Sequence, residues 1–146
     1  MKRLSQVYIF KITATILGWS LPLILFPQRL FEVIGFPQQD TYMFIRMLGW
    51  AYLALCVGYA FGLHAALKGE RLLPPIWVGI VSNGGACCYL LYYGLTGTWV
   101  DWGTGIQIIA WLSMLSTALI TAGLIYYGLL AREEPANGST GEVNKQ

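Results

Sequence analysis

Residues 106–130, IQIIAWLSMLSTALITAGLIYYGLL, decide the fold, because these 25 consecutive residues include no Asp, Glu, Lys or Arg. At about 1.5 Å per residue, a helix of this length exceeds the ~30 Å hydrocarbon core of a bilayer. A helix also satisfies its own backbone hydrogen bonds where no water is present. The stretch therefore predicts a transmembrane helix.

The rest of the chain has a similar character. Of its 146 residues, 56% are hydrophobic and 11% charged, whereas soluble domains have roughly 25% charged residues. Three more apolar stretches lie near residues 7–25, 42–67 and 75–95. We therefore expect residues 1–131 to form an all-α integral membrane four-helix bundle with up-down-up-down topology. The net charge of +2 is too small and too scattered to indicate nucleic-acid binding.

Basic residues near the ends of membrane spans favour the cytoplasmic side. Two of them, Arg29 and Arg46, lie on the face opposite the termini. The termini and the middle loop hold the remaining seven: Lys2, Arg3, Lys11, Lys68, Arg71, Arg132 and Lys145. We expect both termini to be cytoplasmic, Lys11 to extend its ammonium to the inner interface, and the polar segment 132–146 to be a disordered tail.

Small residues inside the spans predict close helix packing, since transmembrane helices associate through small side chains and interhelical hydrogen bonds. The third span contains Gly84 and Gly85, and the second contains Gly58 and Gly62, which belong to one small-residue face. We expect these four glycines to be packing positions, within the bundle or between copies of the chain.

Asn83 is the most polar side chain inside the third span. Counted from the outer ends of their helices, Asn83 and Thr117 both lie ~17 Å inward, and Thr15 of the first span lies at a similar depth. Two interpretations are open: an interhelical hydrogen bond that holds the bundle together, or contact with a ligand.

Arg46 lies four residues inside the second span, and two roles are again open. The guanidinium could extend to the interface or form an ion pair with Glu32, Asp40 or Asp101; alternatively, it could bind a polar or anionic ligand. The preceding loop, FPQRLFEVIGFPQQD (residues 26–40), predicts a short interfacial helix that ends at Gly35. The ligand-binding candidates are therefore Arg46, Asn83, Asp101, Glu32 and Thr117.

The vicinal Cys87 and Cys88 raise the alternative of thiol-based metal or redox chemistry. Neighbouring helix residues point ~100° apart, and Cys56 is displaced by ~9 Å in depth, so the three thiols are poorly placed for one metal ion. The sequence has one histidine, no carboxylate deep in a span, no phosphate-binding loop and no nucleophile elbow. We expect neither a cofactor nor an enzymatic activity.

Two segments resemble small four-helix bacterial proteins of the DoxX-like kind: LFPQRLFEVIGFP (residues 25–37) and FIRMLGWAYLALCVGYAFGL (residues 44–63). The third-span stretch WVGIVSNGGA (residues 77–86) is similar, more narrowly, to BphX-like proteins. The resemblance implies a bacterial inner-membrane accessory to the catabolism of apolar compounds, and it marks Arg46, Gly49 and Asn83 for testing. It carries no catalytic residues.

Three functional hypotheses follow from the sequence. The first is a non-enzymatic membrane protein, alone or as a homo-oligomer, that takes part in the uptake, binding or catabolism of apolar aromatic compounds. The second is a thiol-based metal or redox membrane protein, and the third is a structural subunit of a larger membrane complex.

Overall fold

The computed structural model describes residues 2–38 and 40–131, and all regular elements within these ranges are helices. The segment 132–146, expected to be a disordered tail, lies outside the described residues. Five helices follow one another: α1 (Lys2–Leu25), the short α2 (Gln28–Val33), α3 (Met43–Leu67), α4 (Leu73–Leu95) and α5 (Thr104–Leu130).

Helices α1, α3 and α5 are each long and apolar enough to cross a membrane. Helix α4 has 23 residues and carries the paired Pro74 and Pro75 in its first turn, where backbone N–H groups have no intrahelical acceptor and proline is therefore tolerated. The expectation of an all-helical fold is confirmed for the described residues, with three helices that could span a membrane. The four-span topology and the cytoplasmic termini stay predictions.

Helix α1 contains a π-helical turn, Ile16–Ser20, in which the N–H of Leu21 donates to the carbonyl of Ile16. Pro22 explains the irregularity, because it has no N–H with which to bond the Gly18 carbonyl in α-helical register. The Ser20 hydroxyl at the end of this turn donates to the carbonyl of Gly49 in α3 over 2.9 Å. A Cβ at Gly49 would lie 2.7 Å from Cγ1 of Ile24. Helices α1 and α3 therefore touch closely because position 49 is a glycine.

Helices α4 and α5 are joined by two further glycines. A Cβ at Gly79 would lie 2.5 Å from Cδ1 of Leu124, and one at Gly128 would lie 2.9 Å from Cγ2 of Ile76. Leu124 and Ile76 are fully buried in the apolar core, which also includes Leu4, Tyr8, Tyr59, Ala66 and Ile120.

The four glycines expected to be packing positions differ in their surroundings. A Cβ at Gly62 would lie 2.8 Å from atoms of Tyr8 and Pro75, and one at Gly84 would make ordinary contact with Thr121 at 3.6 Å. Gly58 and Gly85 have open space instead, with no atom within 4 Å of a Cβ position. Neither position is therefore a close contact between helices of one chain: Gly58 lines an open groove between α3 and α4, and Gly85 has open space beside α4.

The short helix α2 lies where the sequence predicts one, and it is followed by Gly35 with a φ of 85°. Only glycine adopts this left-handed conformation at little cost. A side chain at Gly35 would also collide with Gly103, whose N–H donates to the Gly35 carbonyl over 3.0 Å. The loop before α3 and the loop before α5 are therefore joined backbone to backbone at this end of the bundle.

Candidate functional site: a cavity between four helices

A cavity of about 350 Å³ lies between α1, α3, α4 and α5. Its walls combine aromatic rings, small polar side chains and one basic residue. The lining residues are Lys11, Ala14, Thr15, Trp19, Tyr52, Leu55, Tyr59, Ser82, Asn83, Ala86, Tyr89, Leu90, Tyr93, Ser113, Ser116, Thr117 and Ile120. The volume is within the range of small-molecule sites in proteins, ~300–1,000 Å³.

Lys11 is the charged residue of this cavity, and its side chain is only 2% exposed. The expectation that Lys11 extends to the inner interface is therefore wrong. The helix begins at Lys2 rather than near Val7, so Lys11 lies nine residues, or ~14 Å, from the start of α1. It also shares a helix face with the buried Leu4 and Tyr8, which directs it into the bundle.

The ammonium of Lys11 lies over the ring of Tyr59, with Nζ 4.0 Å from the ring centroid. Such a cation–π contact offsets only part of the free energy that a buried charge loses on leaving water. No carboxylate belongs to the lining of the cavity. The acidic residues in the described part of the chain, Glu32, Asp40, Glu70 and Asp101, are all exposed. Within the described residues, the amino group of Lys11 therefore has no carboxylate partner.

Tyr59, Ser82 and Asn83 form a hydrogen-bonded wall. Oη of Tyr59 lies 2.8 Å from Oγ of Ser82, and the Asn83 amide nitrogen donates to the Gly79 carbonyl over 2.6 Å and to Ser82 Oγ over 3.3 Å. Because a backbone carbonyl only accepts, the nitrogen of the Asn83 amide must face Gly79. Both amide protons of Asn83 are therefore engaged on α4 itself.

Thr117 and Ser113 also bond to their own helix, α5. The Thr117 hydroxyl donates to the Ser113 carbonyl over 2.8 Å, and the Ser113 hydroxyl donates to the Ile109 carbonyl over 2.6 Å. The sequence places Asn83, Thr117 and Thr15 at one depth, and the structure brings all three to the same cavity. The interhelical hydrogen bond expected between Asn83 and Thr117 is replaced by bonds within α4 and α5.

Arg46 does not line the cavity. Its guanidinium donates to the carbonyls of Leu23 and Ile24 over 2.9 and 2.7 Å, and also to the carbonyl of Phe26. The last carbonyls of a helix have no intrahelical donors and carry a partial negative charge, so a cation stabilises them. Arg46 therefore caps the end of α1 instead of forming the ion pair that the sequence suggests.

Glu32 and Asp101 lie outside the cavity as well. Glu32 accepts a hydrogen bond from Gln28 on the exposed side of α2, and Asp101 is exposed in the loop before α5. The predicted grouping of Arg46, Glu32 and Asp101 around a ligand gains no support from these positions.

The three cysteines are free and differ in burial: Cys56 is buried, Cys87 is half-buried and Cys88 is exposed. None lines the cavity. Within residues 2–38 and 40–131, no group of three or more His, Cys, Asp or Glu side chains is placed to hold a metal ion.

Sequence reasoning missed Lys11, Tyr59 and Ser82 as parts of the site. A signal for Lys11 was available, because Tyr8 and Thr15 flank it at spacings of three and four residues on one helix face. The contact between Tyr59 and Ser82 depends on how α3 and α4 are rotated, which spacing within a helix does not report.

No protein-family model matches the chain, and no curated protein or solved structure is significantly similar to it. The resemblance to BphX-like and DoxX-like proteins therefore stays a prediction, and the site has to be argued from its own geometry.

Proposed function

We propose that the protein is a non-enzymatic, four-span protein of the bacterial inner membrane, with cytoplasmic termini, that binds a small aromatic compound in the cavity between its helices. The observation that carries the proposal is the lining of this cavity. Five aromatic residues surround it: Trp19, Tyr52, Tyr59, Tyr89 and Tyr93.

Aromatic side chains favour aromatic ligands, because offset and edge-to-face ring contacts add ~0.5–1.5 kcal/mol to the burial of apolar area. The cavity is also large enough for one aromatic ring, since an apolar cavity of ~150 Å³ in another protein binds benzene. The few polar groups on α4 and α5 then orient the ligand. In small-molecule sites, apolar side chains usually supply most of the contact area and a few polar groups fix the orientation.

The length of α4 supports a fourth span, because its 23 residues extend ~35 Å and the hydrocarbon core of a bilayer is ~30 Å thick. The basic residues described at the start of α1 and in the loop between α3 and α4 support a cytoplasmic location for both segments. Self-association through the open faces at Gly58 and Gly85 is part of the same proposal.

A route for an apolar compound is offered by a groove of about 610 Å³ between α3 and α4. Its lining residues are Ala51, Ala54, Leu55, Gly58, Tyr59, Pro74, Pro75 and Val78. Leu55 and Tyr59 line both the groove and the cavity, so these two side chains separate the apolar outer surface of the bundle from the site. A compound dissolved in the acyl chains would reach the cavity by displacing them.

The test is binding of radiolabelled toluene to the purified protein in detergent, measured by equilibrium dialysis. We expect saturable binding by wild type and loss of binding in Ala86→Phe, because Ala86 lines the cavity and a phenyl ring there occupies ligand space. Ala54→Phe is the matched control: it adds the same ring in the outer groove and should leave equilibrium affinity within about twofold. Equal binding by the two variants, or no saturable binding of any aromatic compound by wild type, would refute the proposal.

A further inference from the structure

Four polar residues of the cavity have a fixed hydrogen-bonding role: Lys11 on α1 can only donate, whereas Asn83 on α4 and Ser113 and Thr117 on α5 have their donors engaged. Lys11 of α1 carries an ammonium, which has three N–H donors and no acceptor. Its described partner is the face of the Tyr59 ring, which engages the charge but accepts no conventional hydrogen bond. The donors of Lys11 are therefore free to bind an oxygen atom of a ligand.

Three lining residues of α4 and α5 carry side-chain oxygens that can still accept a hydrogen bond. Both protons of the Asn83 amide are used on α4, which leaves its carbonyl oxygen as an acceptor. The hydroxyls of Ser113 and Thr117 donate to carbonyls of α5, which leaves lone pairs on both oxygens. A ligand that only accepts hydrogen bonds satisfies Lys11 but places its lone pairs against these oxygens.

We infer that the ligand of this cavity is a small hydroxylated aromatic compound of the phenol class. A phenolic oxygen accepts from the Lys11 ammonium, and its O–H donates to an oxygen of Asn83, Ser113 or Thr117. Its ring packs among the aromatic side chains. An aromatic hydrocarbon leaves Lys11 without a hydrogen-bond partner, and an ionised aromatic carboxylate has no proton to donate to the oxygens of Asn83, Ser113 or Thr117. This inference rests on the proposed function and specifies its ligand.

The burial of the site supports the assignment. Lys11 is 2% exposed and Asn83 is 8% exposed, so hydrogen bonds to a ligand form away from bulk water. Hydrogen bonds to charged groups contribute ~1.5–3 kcal/mol, against ~1 kcal/mol for neutral pairs. Lys11 should therefore dominate the discrimination between a phenol and the hydrocarbon of the same shape.

The experiment compares phenol, toluene and benzoate binding to wild type and to Lys11→Met in the same detergent, with free probe measured by dialysis. Wild type should bind phenol at least about tenfold more tightly than toluene, after correction for partition into protein-free micelles. Lys11→Met should bring the ratio of the two affinities close to one while toluene affinity stays within about threefold. Benzoate should bind wild type more weakly than phenol.

Thr117→Val provides a second variant of nearly unchanged shape. It should weaken phenol binding by about threefold to tenfold and leave toluene binding unchanged, because the hydroxyl it removes donates to carbonyls of α5 and offers the ligand an acceptor oxygen only. Equal affinity of wild type for phenol and toluene would overturn the inference while the proposed aromatic site stands. A preference for benzoate, or a preference for phenol that survives in Lys11→Met, would overturn it as well. Absence of saturable binding of all three compounds would instead refute the proposed function.

Discussion

Arg46 and Lys11 are two cations on adjacent helices of this apolar bundle, and their surroundings differ completely. Arg46 lies at the end where α1 finishes, and its guanidinium donates to the carbonyls of Leu23, Ile24 and Phe26. Lys11 lies within the bundle, where an aromatic ring faces its ammonium. The first cation completes a helix end. The second has no carbonyl or carboxylate partner among the described residues, so the comparison separates a structural cation from the one that we propose to bind a ligand.

Arg71 shows that helix capping is repeated in this fold. It lies in the loop after α3 and donates to the carbonyl of Ala131, directly after α5. Two arginines thus donate to carbonyls at the ends of two helices, Arg46 through both terminal nitrogens of its guanidinium and Arg71 through one. Lys11 is neither at a helix end nor opposite a carbonyl, so the capping explanation does not extend to it.

The largest effect on stability should follow Arg46→Met. This change leaves three carbonyls at the end of α1 without a charged donor, and we expect the free energy of unfolding to fall by about 3 kcal/mol. Unfolding by SDS titration in mixed micelles, followed by circular dichroism, measures the loss. Arg29→Met on the exposed face of α2 is the control and should change stability by less than about 0.5 kcal/mol. Similar losses of unfolding free energy in both variants would show that the hydrogen bonds of Arg46 to the end of α1 contribute little to stability.

A smaller loss of stability should follow Gly79→Ala. Gly79 lies on α4 beside the polar wall of the Lys11 cavity, where its carbonyl accepts from Asn83. The new methyl group would lie 2.5 Å from Cδ1 of Leu124, and overpacking of this kind costs about 1–3 kcal/mol. Gly85→Ala is the matched control on the same helix. It has open space at its Cβ position, so the higher helix propensity of alanine should leave stability unchanged or slightly increased. The same SDS titration measures both variants, and an equal loss in the two would contradict the assignment of packing glycines.

The smallest effect, and one of opposite sign, should follow Lys11→Met without ligand. Replacing a buried charge that lacks an anionic partner by an apolar side chain of similar length should raise the free energy of unfolding by about 1 kcal/mol. A substantial loss of stability in the SDS titration would place Lys11 with Arg46 as a structural cation.

The coarse fold could be predicted from the sequence, because long uncharged stretches leave few alternatives to membrane helices. The end of α2 was also predictable, since Gly35 supplies a left-handed residue after a short amphipathic turn. The partners of Arg46 could not be predicted, because they are backbone carbonyls. Every residue has such a carbonyl, and no sequence motif marks the ones that accept from Arg46. Sequence reasoning could only consider side-chain carboxylates as its partners.

The site was predicted in part for a related reason. Counting residues along each span placed Asn83 and Thr117 at one depth, and both line the cavity. Counting residues does not report how one helix is rotated about its axis relative to another. It therefore could not distinguish Gly79, which packs against Leu124, from Gly85, which has no neighbour within 4 Å of its Cβ position. It also placed Lys11 at an interface, because it began the first span at Val7 while the helix extends back to Lys2.

The measurement that tests the central claim most directly is the change in unfolding free energy that phenol produces in wild type and in Lys11→Met. At a free concentration of 100 times its dissociation constant for wild type, phenol should stabilise wild type by about 2.7 kcal/mol. Lys11→Met at the same concentration should gain at least about 1 kcal/mol less, since its tenfold weaker binding reduces the gain by that order. Equal stabilisation of the two proteins would contradict the claim that the buried ammonium of Lys11 is held for a ligand.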